Sequence, residues 1–115
     1  MAKVRHSAAT KRRKKRVLRQ AKGFWLDRSK QFQQARRALL HALTYAYRDR
    51  KARKRDFRSL WIARINAACR AEGTTYNKFM AGLKKAQVGL DRKMIAQLAV
   101  KDEKVFKKLL EIAKG

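Results

Sequence analysis

Residues 51–70 read KARKRDFRSLWIARINAACR, and this stretch changes from a run of positive charge into a helix with one apolar side. Neither proline nor glycine interrupts it, so nothing in it breaks a helix. Its apolar residues recur every three or four positions and therefore share one stripe of a helix. They are Phe57, Leu60, Trp61, Ile65 and Ala68. The stretch predicts one continuous helix that is polycationic at its start and packs against other helices at its end.

The same helical period extends towards the N-terminus. The apolar positions there are Phe32, Ala35, Leu39, Leu43 and Ala46. With Gly73 as the natural stop, we expect one helix from about residue 28 to residue 70. Such a helix is about 60 Å long at 1.5 Å per residue. A compact chain of this length has a radius of gyration of only about 13 Å, so the helix cannot be buried inside its own protein.

Beyond that stop, the sequence predicts three short amphipathic helices. Thr74 or Thr75 can cap the first helix, and Gly89 is expected to end it. Asp91 and Asp102 can cap the second and third helices. We therefore predict an all-α fold, in which a long basic helical N-terminal extension precedes a small globular four-helix C-terminal domain. The predicted core residues of that domain are Phe57, Leu60, Trp61, Ile65, Phe79, Leu83, Ile95, Leu98, Phe106 and Leu109.

The charge of the chain divides it in the same way. The formal net charge is +25, from 33 lysines and arginines against eight acids. Residues 1–58 hold 21 of these cations and three acids, whereas residues 59–115 hold 12 cations and five acids. We interpret residues 1–58 as a basic extension that needs a polyanionic partner, and residues 59–115 as an all-helical domain.

Catalytic, metal and membrane functions find little support. Cys69 is the only cysteine, and His6 and His41 are far from it in sequence, so neither a disulfide nor a zinc site is expected. We interpret Cys69 as a small buried residue and His6 as a polar group that faces RNA. No cofactor motif, convergent catalytic group, membrane-spanning run or signal-peptide core is recognisable. We expect a cytoplasmic protein that is not an enzyme and has no cofactor or small-molecule substrate.

Basic residues interleaved with aromatic residues give the positive signal. Lys11 to Arg16 read KRRKKR, and aromatic side chains recur among the arginines that follow. Arginines grip phosphates while aromatic rings stack on unpaired bases, a combination that favours RNA over duplex DNA. Lys11 and Trp25 are predicted RNA contacts on this basis. A DNA-compacting, histone-like protein remains the alternative because it would share the charge, whereas a membrane-surface helix would need an apolar face that residues 48–58 lack.

Between Arg48 and Arg58 the helix is basic on both flanks, and Asp49 and Asp56 are the only acids. Asp49 stands four residues before Arg53, a spacing at which the two side chains can pair. Like charges at helical spacing repel by a few tenths of a kcal/mol each. We therefore expect this part of the helix to fray without a partner and to order on binding RNA.

Several motifs together resemble the bacterial large-subunit ribosomal protein family numbered L-twenty. The most specific is KRDFRSLWIARINAACR at residues 54–70. The others, in the order that the family shows, are RRKKRVLRQAKGFW (12–25), YAYRDRKARKRDFR (45–58), NKFMAGLKKAQVGLDRK (77–93) and QLAVKDEKVF (97–106). The resemblance covers nearly the whole chain.

The resemblance implies direct binding of 23S ribosomal RNA, contact with neighbouring large-subunit ribosomal proteins and a role in early assembly of the 50S subunit. In some members of the family the C-terminal domain also binds the protein's own mRNA and represses translation. Carried over by position, the implied RNA contacts are Arg12, Arg13, Lys14, Lys15, Arg16, Lys22, Gly23, Arg28, Ser29, Arg36, Arg48, Arg50, Lys51, Arg53, Lys54, Arg55, Arg58, Arg64, Asn66, Arg70, Lys84, Lys85 and Lys93.

One short segment departs from the family pattern. After Gly23, Phe24 and Trp25 the family commonly has a second glycine, whereas this chain has Leu26 followed by Asp27. A glycine there would permit a sharp turn and a close approach of the backbone to RNA. We therefore expect the local turn to differ from that of the family.

Overall fold

The structure of the protein is a computed structural model that describes residues 7–115. His6 and the first residues of the predicted extension lie outside this range. The helices are α1 (Ser7–Gln20), α2 (Phe32–Ala71), α3 (Tyr76–Lys85), α4 (Arg92–Lys101) and α5 (Glu103–Lys114), with a short 3-10 helix at Leu26–Arg28 between α1 and α2. Within residues 7–115 no strand is present, and the prediction of an all-α fold is confirmed.

The long predicted helix is α2, which has 40 residues. It begins at Phe32 and not near residue 28, because the 3-10 helix occupies that segment. It stops where the sequence predicted, since Gly73 adopts a φ of 74° that side chains disfavour. The amide of Thr74 donates to the carbonyl of Cys69 at 2.9 Å, and the amide of Gly73 donates to the carbonyl of Arg70 at 3.1 Å. This pair of hydrogen bonds is a Schellman motif, which satisfies carbonyls at the helix end.

Helix α3 ends in the same way, but not at the glycine that we expected. Gln87 adopts a φ of 53°, and the amides of Gln87 and Val88 donate to the carbonyls of Lys84 and Leu83. The prediction that Gly89 ends this helix is therefore wrong. Gly89 lies two residues beyond the position where the hydrogen bonds require a left-handed residue.

The caps of α4 and α5 differ from one another. The Asp91 carboxylate accepts a hydrogen bond from the amide of Met94 at 2.8 Å, as predicted for an N-cap. Asp102 stands at the N-cap position of α5, but its side chain makes no capping hydrogen bond. The start of α5 therefore lacks the side-chain cap that α4 has.

Contacts divide the chain into two compact units. The first unit reaches Lys51, and the second covers Ala52–Gly115. The boundary that we expected, between residues 58 and 59, lies a few residues further along the same helix, α2. The assignment of separate roles to the two parts stays a prediction.

The second unit contains a well-packed core. Phe79 and Phe106 pack with their ring centroids 5.3 Å apart. At Gly82, α3 approaches α5 so closely that a Cβ atom would overlap the backbone of Ala113. The buried residues of this core are Ile65, Cys69, Phe79, Leu83, Ile95, Ala96, Phe106, Leu109 and Leu110.

Four of the predicted core residues are less buried than expected. Phe57 and Leu60 are 48% and 42% exposed, so their assignment to the core is wrong. Trp61 and Leu98 are half-buried and pack against the core from its edge. The buried core residues of α2 begin only at Ile65, so the packing helices cover the end of its apolar stripe and leave the earlier turns open.

The first unit has almost no core. Within its described residues, Ala21 and Ala35 are the buried apolar side chains. The Lys14 ammonium lies 5.8 Å from the centre of the Phe32 ring, which links α1 to the start of α2. Alanines bury little apolar area, so this unit gains little free energy of folding from the hydrophobic effect.

Candidate nucleic-acid interface

The predicted RNA contacts form an exposed surface. All of them are exposed except Ser29 and Asn66, which are half-buried. Among residues 7–115, only Arg48 and Lys107 form ion pairs, with Asp49 and Glu72. The remaining lysines and arginines of this range therefore present charge that no acid of the chain neutralises at short distance.

A second run of positive charge, besides Lys11–Arg16, lies on the segment of α2 from Arg48 to Arg58, which we call the basic segment. It holds seven cations, and helix α2 runs through it without a break. Arg48 Nε donates to Asp49 Oδ1 at 3.0 Å, so the expected pairing of Asp49 with Arg53 is wrong. Asp49 pairs with the adjacent arginine, and the other six cations of the segment form no ion pair.

Tyrosine rings hold two cations at the start of the basic segment. The Arg48 guanidinium lies 4.7 Å from the centre of the Tyr45 ring, and the Lys51 ammonium lies 4.9 Å from that of Tyr47. Exposed contacts of this kind contribute about 0.5–1 kcal/mol each. They orient two cations on the helix surface without neutralising their charge, and Lys51, which forms no ion pair, stays available to an anion.

The turn between α1 and α2 forms despite the missing second glycine. Gly23 adopts a φ of 91°, and Leu26 adopts a φ of 50°. The Ser29 hydroxyl donates to the carbonyl of Leu26 at 2.9 Å and holds the strained residue in place. The side chain of Trp25 is 77% exposed beside this turn. Ser29 is therefore a support of this turn, and its donor is used within the chain.

An aromatic and basic groove of about 640 Å³ lies within the first unit. Its walls include Phe24, Trp25 and Arg28 from the turn, and Arg37 and Tyr45 from α2. Arg37 was not among the predicted RNA contacts. The recurrence of polar and aromatic residues along one face of α2 was the signal that could have identified it.

A second groove of about 690 Å³ lies within the second unit, between α2 and α4. Phe57 and Trp61 form its apolar wall, with ring centroids 6.3 Å apart. The cations that line it are Arg53, Lys54, Arg55, Arg58, Arg64 and Lys93. No acid contributes to the lining, so the groove suits an anionic ligand that carries an apolar ring.

The remaining predicted contacts lie elsewhere on the second unit. Lys84 and Lys85 are in the last turn of α3, where positive charge also stabilises the helix. Arg70 is exposed in the last turn of α2. Helices α4 and α5 carry a further set of exposed lysines that were not predicted as RNA contacts, which are Lys101, Lys104, Lys107, Lys108 and Lys114.

Other chemistry is not assembled in the part of the chain that the structure describes. Residues 7–115 contain no group of three side chains able to hold a metal ion. Over the same range, no helix is long and apolar enough to cross a membrane. Burial raises the pKa of the Cys69 thiol to about 11, so the thiol is protonated and unreactive at neutral pH.

Comparison with known proteins places these features in a family. A family model described as Ribosomal protein L20 matches residues 3–109. The large ribosomal subunit protein bL20 of Thermoanaerobacter sp. is 52% identical over 114 residues, which cover 99% of this chain and 96% of that protein. Proteins of the same name from Acidithiobacillus ferrooxidans and Acetivibrio thermocellus are 50% and 51% identical and cover 100% of this chain. The alignments cover 97% and 98% of those two proteins.

Proposed function

This chain belongs to the ribosomal protein L20 family of structural, non-enzymatic proteins of the large ribosomal subunit, and we propose that it binds 23S ribosomal RNA directly and promotes early assembly of that subunit. Its partners in the cytoplasmic ribosome are the RNA and neighbouring large-subunit proteins. The extension of residues 1–58 and the domain of residues 59–115 both contribute to RNA binding, in different ways.

The basic segment is the observation that carries this proposal. Seven cations lie within eleven residues of one helix, and only Arg48 is paired with an acid. Such a surface is stabilised when phosphates replace its mobile counterions. Tyr45 and Tyr47, just before this segment, and the aromatic grooves add surfaces on which unpaired bases can stack, which favours structured RNA over duplex DNA.

The proposed mechanism joins folding of the extension to folding of the RNA. Phosphates lower the repulsion between the cations of the basic segment, so the segment becomes ordered as it binds. The same cations reduce repulsion between RNA strands that approach one another. Specificity comes mainly from the shape of a junction between RNA helices, while the packed second unit fixes the register of α2 on that junction.

The salt dependence of binding tests the electrostatic part of the proposal. If about ten phosphates are contacted, log affinity for 23S RNA falls against log salt with a slope of roughly −7 to −9. Competition at about 0.3 M salt tests the alternative, because a DNA-compacting protein would not distinguish structured ribosomal RNA from duplex DNA. Equal competition by the two nucleic acids, or large subunits purified without this chain, would contradict the proposal.

Ordering on binding has its own test. Circular dichroism of a fragment of residues 1–58 should show an increase in helix content when 23S RNA is added, because phosphates remove the repulsion that frays the helix. A fragment that is already fully helical without RNA contradicts this step, while leaving RNA binding itself intact.

Repression of the protein's own mRNA is a second role that the family resemblance implies. The second unit has its own core and its own basic groove, which supports RNA binding by this part alone. Translation of a reporter fused to the protein's own messenger leader should fall when the chain is supplied in excess, and a reporter with an unrelated leader is the control. Equal translation of both reporters would exclude this role.

A further inference from the structure

We propose that the groove between α2 and α4 binds one unpaired nucleotide of an RNA, with its base stacked on the Phe57 and Trp61 rings and its phosphate held by the surrounding cations. This inference rests on the proposed function and deepens it, because it names the ligand of one site. It also gives Phe57 a role that the core assignment had hidden.

The groove has an aromatic wall made of Phe57 and Trp61. Phe57 continues the apolar stripe of α2, but it is 48% exposed to solvent. Trp61 is half-buried and packs against the core, so its ring is held in place. The two rings lie 6.3 Å apart at an angle of 33° and form one surface that is open to solvent. A rigid aromatic surface of this kind offers the stacking platform that an unpaired base needs.

The rest of the groove is strongly basic. Six cations line it and no acid does, so an acidic or anionic ligand is favoured over an apolar one. The volume of about 690 Å³ is within the usual range for small-ligand sites. Gln97 adds an amide that can both donate and accept hydrogen bonds at a base edge.

A nucleotide matches both the aromatic wall and the cations of the groove, because it joins a flat aromatic base to a phosphate. An acidic peptide would satisfy the charge, but it would leave the aromatic wall in water unless it carried an apolar side chain at the matching position. A paired base cannot stack in the groove, since its two faces are already covered by its neighbours in the duplex. The ligand is therefore expected to come from a loop, bulge or junction.

Trp61 fluorescence in the full-length chain tests the inference directly. A Trp25→Phe background leaves Trp61 as the only tryptophan, since the chain has two. Hexa-adenylate RNA should quench Trp61 emission by stacking, whereas an abasic ribose-phosphate oligomer of the same length should bind through charge and leave the emission unchanged. Equal quenching by both oligomers would overturn the inference.

Matched variants in the same background locate the effect. Phe57→Leu keeps an apolar side chain but removes the ring, and it should weaken binding of hexa-adenylate about tenfold. Leu60→Ala is the control, because Leu60 is similarly exposed on the same helix but does not line the groove. Circular dichroism checks that both variants fold. An equal effect of the two variants, or no effect of Phe57→Leu, contradicts the inference.

Binding of 23S RNA by the same proteins separates this inference from the proposed function. If the chain binds 23S RNA but shows no base-dependent quenching, the proposed function stands and the nucleotide site is contradicted. If the chain does not bind 23S RNA, both proposals are contradicted. Phe57→Leu could instead leave the quenching and the binding of hexa-adenylate unchanged and weaken association with RNA-free large-subunit proteins. In that case the groove is a protein contact and the inference is wrong.

Discussion

The two units of this chain share a helix and a surplus of cations, but they differ in what holds them together. Nine buried side chains form the core of the second unit, whereas two alanines are the buried residues that the structure describes in the first. The second unit therefore gains stability from packing of its own residues. The first unit lacks this source of stability, which agrees with our proposal that its exposed cations bind RNA phosphates.

This contrast explains why one chain contains both kinds of structure. A packed domain holds its surface in a fixed geometry, which suits a groove for a single nucleotide. A helix with little core can adapt to an irregular anionic surface, at the cost of losing conformational entropy when it binds. Variants that change one unit at a time should separate these contributions.

The largest expected effect comes from removing charge in the first unit. Replacing Lys11, Lys15, Arg16 and Arg50 with glutamine should weaken binding of 23S RNA about a hundredfold and reduce the magnitude of the salt slope by about three to four. Filter binding over a range of salt concentrations measures both quantities.

A variant of the second unit controls for net charge. It carries the same replacement at Lys101, Lys104, Lys108 and Lys114, which are exposed and unpaired in the structure. The effect on the salt slope should be less than half that of the first variant. Equal effects would show that total charge, and not its position in the first unit, sets RNA affinity.

Gly82→Ala should produce the largest loss of stability, and only in the second unit. The added Cβ would overlap the backbone of Ala113, which cannot move aside as a side chain can. Overpacking of this kind should lower the free energy of unfolding by about 3 kcal/mol, measured by urea titration of the full chain. Gly89→Ala is the matched control because no atom lies near its added Cβ. Similar losses for the two variants would contradict close packing of α3 on α5.

Cys69 should make the stability of the second unit depend on alkaline pH. Burial raises its pKa from the ordinary value of 9.0 to about 11. Well below pH 9 both states keep the proton, so stability is unaffected; between about pH 9 and 11 only the unfolded state releases it, so stability falls by about 2 kcal/mol.

Cys69→Ala provides the comparison for this pH effect. Urea titrations of both proteins at a series of pH values measure the difference between them, which cancels titration of the lysines and tyrosines that they share. The difference in unfolding free energy should change by about 2 kcal/mol between about pH 9 and 11. A constant difference over that range would show that the thiol is not desolvated in the folded chain.

The smallest expected effect compares two strained residues, one in each unit. Gln87 and Leu26 both have a positive φ that glycine adopts without strain. Gln87→Gly should raise the free energy of unfolding by about 1 kcal/mol, because it relieves strain within a cooperative core unit. Leu26→Gly should leave the main unfolding transition unchanged, since the first unit lacks such a core. Equal gains from the two variants would show that the units unfold together.

Sequence periodicity predicted much of the fold. The break at Gly73, the three short helices beyond it and the Asp91 cap follow from local preferences that act over a few residues. Local preferences did not predict the end of α3 correctly. The hydrogen bonds at the helix end place the left-handed residue at Gln87 and not at Gly89. A strained residue is accepted there since the surrounding packing fixes it.

The predicted interface followed from charge, but its grooves did not. Lysines and arginines must remain exposed unless acids pair with them, so their exposure could be predicted from composition alone. The aromatic residues that line the grooves beside these cations could not be predicted from composition. Phe57 and Ile65 lie on the same stripe of α2, yet Phe57 lines an open groove while Ile65 is fully buried.

The sequence by itself determined the helices, their apolar faces and the position of the positive charge, because these depend on residues within a few turns of one another. The tertiary structure alone decided how far along α2 the packing helices reach. That limit depends on the approach of α3, α4 and α5 to α2, which a periodic stripe does not encode. Because the packing helices do not reach Phe57, this expected core residue lies in the wall of a groove.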